Sequence, residues 1–173
     1  MCSSDLAGIE APDVFAPDVL EKIGRATAAI EKAPFVEKVF SLTNVEAITG
    51  RGDSVEIEKL ISFPLDDKSL PTLRARALAN ELYVGSVVSP KGDFAAILVR
   101  LPHRTDNFDY KIQAVRAIRD VLRSEFGTSF YLAGGPVFDE QFFYQSEKDS
   151  VRTTVLMLLF LVGVLWTLTR SVA

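Results

Sequence analysis

The sequence predicts an α+β domain that runs into a C-terminal transmembrane helix, on three observations. Between residues 17 and 127, three segments space their apolar residues as one face of a helix does. Short runs rich in β-branched and aromatic residues lie between and after them, bounded by Gly, Pro, Asn and Asp. Residues 153–169, "TTVLMLLFLVGVLWTLT", then carry no charge, and Arg152 and Arg170 bracket them.

Each element has a local reason. In "PDVLEKIGRATAAIEKA" (17–33), Leu20, Ile23, Thr27 and Ile30 share a helix face; Pro17 and Asp18 suit the first turn and Pro34 ends it. "FVEKVFSLTNV" (35–45) reads as a strand. "GRGDS" reads as a loop, and "VEIEKLISFP" as a short strand in which Val55 and Ile57 alternate with Glu56 and Glu58. "DDKSLPTLRARALANELYVG" predicts a second helix, with Ser69 at its N-cap and Pro71 in its first turn. In "SVVSPKGDFAAILVRLP", Val87 and Val88 lead into a turn at residues 90–93, and residues 94–101 return as a strand apolar on both faces, hence central in its sheet. "NFDYKIQAVRAIRDVLRSEFG" predicts a helix with Ile112, Val115, Ile118, Val121, Leu122 and Phe126 on one stripe, Asp106 or Asn107 as its cap and Gly127 as its end.

"TSFYLAGG" is a short strand and a glycine turn, and Pro136 sits at a first-turn position of the next helix. No breaker intervenes before Thr169, so one long helix is expected from Pro136 onward. Residues 153–169 span roughly 26 Å as a helix, close to a hydrocarbon core of about 30 Å. Trp166 sits near one end, where an indole suits the headgroup zone; Thr153, Thr154 and Thr167 mark the borders, where their hydroxyls can bond back to helix carbonyls. The competing reading is a buried core helix. The run is longer than those usually are and apolar all round, which favours lipid. Helices crossing a set of strands describe a ferredoxin-like βαβ sandwich. One of its strands looks lost before Pro17, with "IEAPDVFAP" as its remnant.

Composition excludes several functions. The 173 residues carry a net charge of −4 with scattered Lys and Arg, which gives no nucleic-acid footprint. The single cysteine, Cys2, has no partner for a disulfide, and the single histidine, His103, leaves zinc sites and His-based triads little to work with. An enzyme is not expected, nor a cofactor or metal. No apolar signal segment precedes residue 30. "MCSSDL" (1–6) is also what the end of a common sequencing adapter encodes when read from a GTG start, so these residues read as non-native. The domains are then residues 7–146, the α+β domain, and 147–173, the transmembrane helix with a short cytoplasmic end.

Most conspicuous motifs have plain readings. The "RGD" of Arg51 to Asp53 is a turn in a Gly-rich loop, Asp66 and Asp67 are helix N-terminal charges, and His103 is a loop residue. Gly134, Gly135 and Pro136 lack the Lys and Ser/Thr of a phosphate loop and read as the hinge between sheet and exit helix. Phe138 and Phe142 share a helix face that Phe143 and Tyr144 widen. They serve either to pack against the sheet or to line a path for a hydrophobic substrate.

The order of these segments resembles one family. "APFVEKVFSLTNV", "VVSPKGDFAAILVRL", "YLAGGPVFDEQF" and "FLVGVLWTLTRS" resemble successive pieces of the first large extracytoplasmic loop and second transmembrane segment of RND-superfamily transporters, in the MMPL or hydrophobe–amphiphile efflux branch. The resemblance runs from about Phe15 to the C-terminus. It implies a fragment of a proton-driven exporter of lipids or other hydrophobic compounds in a bacterial inner membrane. The fragment would be the first porter domain, extracytoplasmic over residues 7–146, with its exit helix. The partners implied are a membrane lipid or hydrophobic small molecule and the rest of the same chain, and a homo-oligomer is compatible. The family's proton-relay carboxylates lie in membrane helices outside this chain, so no coupling residue is assigned. The alternative is a single-pass anchored α+β binding or sensor module. Lys148 and Arg152 before the apolar run favour a cytoplasmic domain for such a module by the positive-inside rule.

Overall fold

The computed structural model describes the backbone of residues 3–51, 54–61, 63–65, 69–102 and 109–172, with side chains over 6–45, 60–61, 63–65, 69–102, 109–142, 144–146 and 149–167. The elements are β1 (Ser3–Glu10), α1 (Pro17–Ile30), β2 (Lys38–Phe40), β3 (Glu46–Arg51), β4 (Ser54–Lys59), α2 (Leu70–Leu78), β5 (Phe94–Leu101), α3 (Tyr110–Phe126), β6 (Phe130–Gly134) and α4 (Gly135–Val172). The fold is mixed α+β: an open four-stranded antiparallel sheet in the order β2-β5-β1-β6, and a separate β3-β4 hairpin.

β1 corrects the expectation of a lost strand. It lies inside the sheet, with Ser3 opposite Leu101 and Glu10 opposite Phe94 on one side, and Asp5 opposite Gly134 and Ile9 opposite Phe130 on the other. "APDVFA" is the loop after it. The N–H groups of Ala11 and Val14 donate to the carbonyls of Asp93 and Gly92, tying that loop to the turn before β5. The Asp13 carboxylate accepts from Arg74 at 2.7 Å, and the Arg74 guanidinium lies over the Phe15 ring. β5 is central, as its two apolar faces predict.

Strand alternation then sorts the sheet. Ala7, Ile9, Ala95, Ile97, Val99, Leu101 and Val39 face one side and are all buried. Leu20, Ile23, Ala26 and Ile30 of α1 and Tyr110, Ala114, Ile118 and Leu122 of α3 join them in one core, with Leu73 and Ala77 of α2. The 3.6-residue spacing of α1 and α3 gives each one apolar stripe, so both bury that stripe and leave their charges in water. Between the two helices, Nε and Nη2 of Arg25 donate to Glu125 at 3.0 and 2.9 Å. Donating to Glu125 raises the already high pKa of this guanidinium, so it stays charged at any ordinary pH. Both partners of the tie reach solvent, and it contributes little stability.

The 35–45 strand is shorter than expected because two turns trim it. Phe35 takes φ 63°, delaying the strand to Lys38, and the Asn44 side chain closes a turn at Ser41–Asn44. Asn44 Oδ1 accepts from the Ser41 N–H at 2.7 Å, and Nδ2 donates to the Val39 carbonyl at 2.8 Å and to Glu31 at 3.0 Å. One amide thus occupies backbone groups at the sheet edge that would otherwise invite another strand. Asn44→Ala is expected to cost about 2 kcal/mol, two stranded backbone groups at roughly 1 kcal/mol each. A urea titration followed by circular dichroism reads the shift in midpoint.

Other predicted elements change in detail. α2 stops at Leu78, because Asn80 accepts from the Leu82 N–H and turns the chain. Ser69 stands at the N-cap of α2, but it makes no side-chain capping bond. Val87 and Val88 pair with the start of β5 through single bridges rather than as a strand. β3 is an addition to the expected elements: Gly50 and Arg51 end it and Ser54 opens β4, so these three residues of the expected loop are strand residues. α3 begins at Tyr110 with Asp109 at its N-cap, not Asp106 or Asn107; Asp53, Asp66, Asp67, His103, Asp106 and Asn107 themselves lie outside the described residues.

Candidate functional site

The chain forms two compact units, residues 1–137 and 138–173. In the first, β6 passes into α4 with no intervening loop. Gly134 makes this change of direction at φ 144°, a region closed to side chains with a Cβ, and Gly135 begins the helix. Pro136 and Val137 follow and are both buried, so the first turn of α4 is held in the domain's own packing. The three residues expected to form a hinge therefore form a junction with one glycine-only residue. Gly134→Ala is expected to cost about 1–3 kcal/mol from backbone strain alone. Thermal melts of the variant beside Gly135→Ala, where the helix tolerates alanine, separate strain from composition.

The second unit is a helix with its apolar side chains outward. None of the side chains at 151–167 is buried, and Leu156, Leu159, Phe160 and Trp166 are each at least 60% exposed. The helix is long and apolar enough to cross a membrane, with a mean hydropathy of 1.8 over its apolar stretch. In water, twelve large apolar side chains from Val151 to Trp166 would each forgo about 1.5–3 kcal/mol of burial, on the order of 20 kcal/mol together. Thr167 donates its hydroxyl proton to the Val164 carbonyl at 2.8 Å, as expected of a threonine at such a border. Thr153 is exposed on an uninterrupted helix, so it marks a change of composition and not of backbone; the Thr169 side chain lies outside the described ones.

The aromatic set is only partly gathered. The rings of Phe138 and Phe142 stack with centroids 6.2 Å apart, and both are about two-thirds exposed. Tyr144 is exposed too, so none of the three is a core residue; the Phe143 side chain lies outside the described ones. Glu140, one turn on from Pro136, is buried and partnered.

Sequence reasoning missed one cluster on the first unit. Arg100, Leu98, Ala96 and Phe94 alternate along β5 on the side away from the core. Register places Lys38 opposite Arg100, and Phe40 and Leu6 opposite Leu98. Lys38 Nζ lies 4.7 Å from the centre of the Phe40 ring, and the Arg100 guanidinium lies 6.0 Å from it on the same aromatic. Some sixty residues separate the two strands that bring these cations together, so no local pattern could have signalled them.

Comparison with models of known protein families and with curated proteins finds no match for this chain.

Proposed function

We propose that the chain is part of a proton-driven exporter of RND/MMPL type, contributing a ferredoxin-like porter domain (residues 7–146) and the transmembrane helix that leaves it. The observation that carries this reading is α4: a helix that starts inside a folded α+β domain, continues without a break for 38 residues and turns apolar on every face. The strand order supports the domain assignment, since β1-α1-β2 and β5-α3-β6 interleave in one antiparallel sheet. The order of the sequence motifs supports the family. On this reading the domain lies outside the inner membrane of a bacterium and Arg170 lies inside. Lipids or other hydrophobic molecules are the cargo, Phe138, Phe142, Phe143 and Tyr144 line its path, and the Gly134–Gly135–Pro136 junction transmits movement between domain and helix.

A second reading rests on charge. Lys148 and Arg152 precede the apolar run and only Arg170 follows it, which favours a cytoplasmic domain on a single-pass anchor. Sequencing the gene across both ends decides between them. An exporter requires a further membrane helix encoded upstream of the domain and several downstream. A reading frame bounded by its own start and stop codons around these residues rules the exporter out and leaves the anchored module.

A further inference from the structure

We propose that the outer face of the sheet binds a single-chain anionic amphiphile, a fatty acid in chemical class, with its carboxylate between Lys38 and Arg100. The sheet carries its helices on the Ala7, Ile97 and Val99 side, so the alternate residues form a second surface with its own gradient. One end is cationic. Lys38 and Arg100 are exposed neighbours in register, both over Phe40, and among the described residues no carboxylate lies within ion-pair distance of either. Glu37, next along the chain, lines the same cavity at the β2 edge as Lys38 and Phe40 but, like the other described carboxylates, forms no ion pair with either cation. Two like charges on register neighbours, each over the same ring, repel each other, and one anion shared by them relieves that repulsion.

The surface turns apolar immediately beyond the cations. Phe40, Leu98, Leu6 and Ala133 stand side by side across the four strands, a row of roughly 14 Å at the usual strand spacing. Leu6 also lines a groove of about 290 Å³ formed with Ala96, Phe94, Val88 and the 85–90 segment. Its floor is low because Ala96 is small, while the Phe94 ring, which fills the space over Gly8, closes the far end. The sequence along β5 thus runs from charge to apolar row to closed groove, which matches an anionic head followed by an alkyl tail. At the opposite corner Glu10 is engaged by the Tyr131 hydroxyl at 3.2 Å, so the acidic end repels a second anion and the head has one orientation.

The site belongs to the domain alone, and it stands or falls separately from the exporter reading, which the flanking reading frame tests. The experiment uses the full chain in phosphatidylcholine nanodiscs, labelled with a photoreactive diazirine analogue of dodecanoate and mapped by peptide mass spectrometry. Label is expected on peptides holding Phe40, Leu98 and Leu6. Excess dodecanoate should remove it, whereas dodecanol or inorganic phosphate should not. The Lys38→Gln, Arg100→Gln double variant should lower it about tenfold with an unchanged circular dichroism spectrum. Ala96→Leu, which fills the groove, should lower it even with both cations present. Label confined to α4, or indifferent to the double variant, overturns the proposal. Equal competition by dodecanol leaves an apolar groove without a headgroup site, and competition by phosphate alone leaves an anion site without a tail; either result also overturns it. So does crosslinking of β5 to a second copy of the chain in place of probe capture.

Discussion

Expressed in bacteria, the chain is expected to stay with the membrane pellet through an alkaline carbonate wash, and Leu158→Arg with Leu161→Arg is expected to release it. Arginine near the middle of a membrane helix costs about 2.5–3.5 kcal/mol on insertion scales, so the pair costs roughly 6 kcal/mol, or more than four orders of magnitude in partition. Both leucines are more than half exposed and lie near the centre of the uncharged run, where an arginine side chain reaches the interface least easily. A control with Leu158→Phe and Leu161→Phe keeps the surface apolar and should remain in the pellet. If the wild-type chain washed off with the arginine variant, α4 would have to bury its apolar surface against protein instead.

The second large effect concerns the first six residues. Removing them takes Ser3, Ser4, Asp5 and Leu6 from β1, half of its pairing with β5, together with two of its pairs with β6. At roughly one backbone hydrogen bond per pair and a net value near 1 kcal/mol each, the loss is about 6 kcal/mol. That is a large share of the 5–15 kcal/mol of a typical domain. It falls inside the sheet, where the uncovered halves of β5 and β6 would face each other unpaired. The shortened chain is expected to lose its cooperative urea transition, read by circular dichroism in a mild detergent. The same experiment bears on the adapter-like string. If residues 1–6 are foreign, substituting the gene's own upstream codons should raise stability above that of the present chain, because a native strand would bring side chains selected for that sheet. If they are native, no such replacement exists and the deletion alone shows what they contribute.

Two kinds of element are legible without a fold. α1, α3 and α4 are, because a helix face or an all-apolar run is written within a few turns of contiguous sequence and its burial needs no knowledge of the partner. β5 is as well, since a strand apolar on both faces can only be central. β1 is not. "SSDLAGIE" carries weak strand character and two prominent serines, and it holds its place through pairing with Leu101 to Phe94 on one side and Gly134 to Phe130 on the other. β3 escapes notice for a related reason, because "EAITGR" forms a strand only against its hairpin partner.

The sites divide in the same way. Gly134–Gly135–Pro136 can be placed from sequence, since backbone freedom and a helix-starting proline are properties of single residues. That Gly134 alone of the three carries a positive φ, and that Pro136 and Val137 are buried, is decided by packing. Lys38, Phe40 and Arg100 lie on two strands distant in sequence, and only antiparallel register puts them side by side. By itself the sequence determined the helices, the central strand and an apolar helix of membrane-spanning length, because periodicity and composition within one segment are enough for those. The tertiary structure alone decided the role of β1, the capping of the β2 edge by Asn44 and the charged corner of the open face. Strand pairing is a contact between distant residues, and no single segment encodes its register.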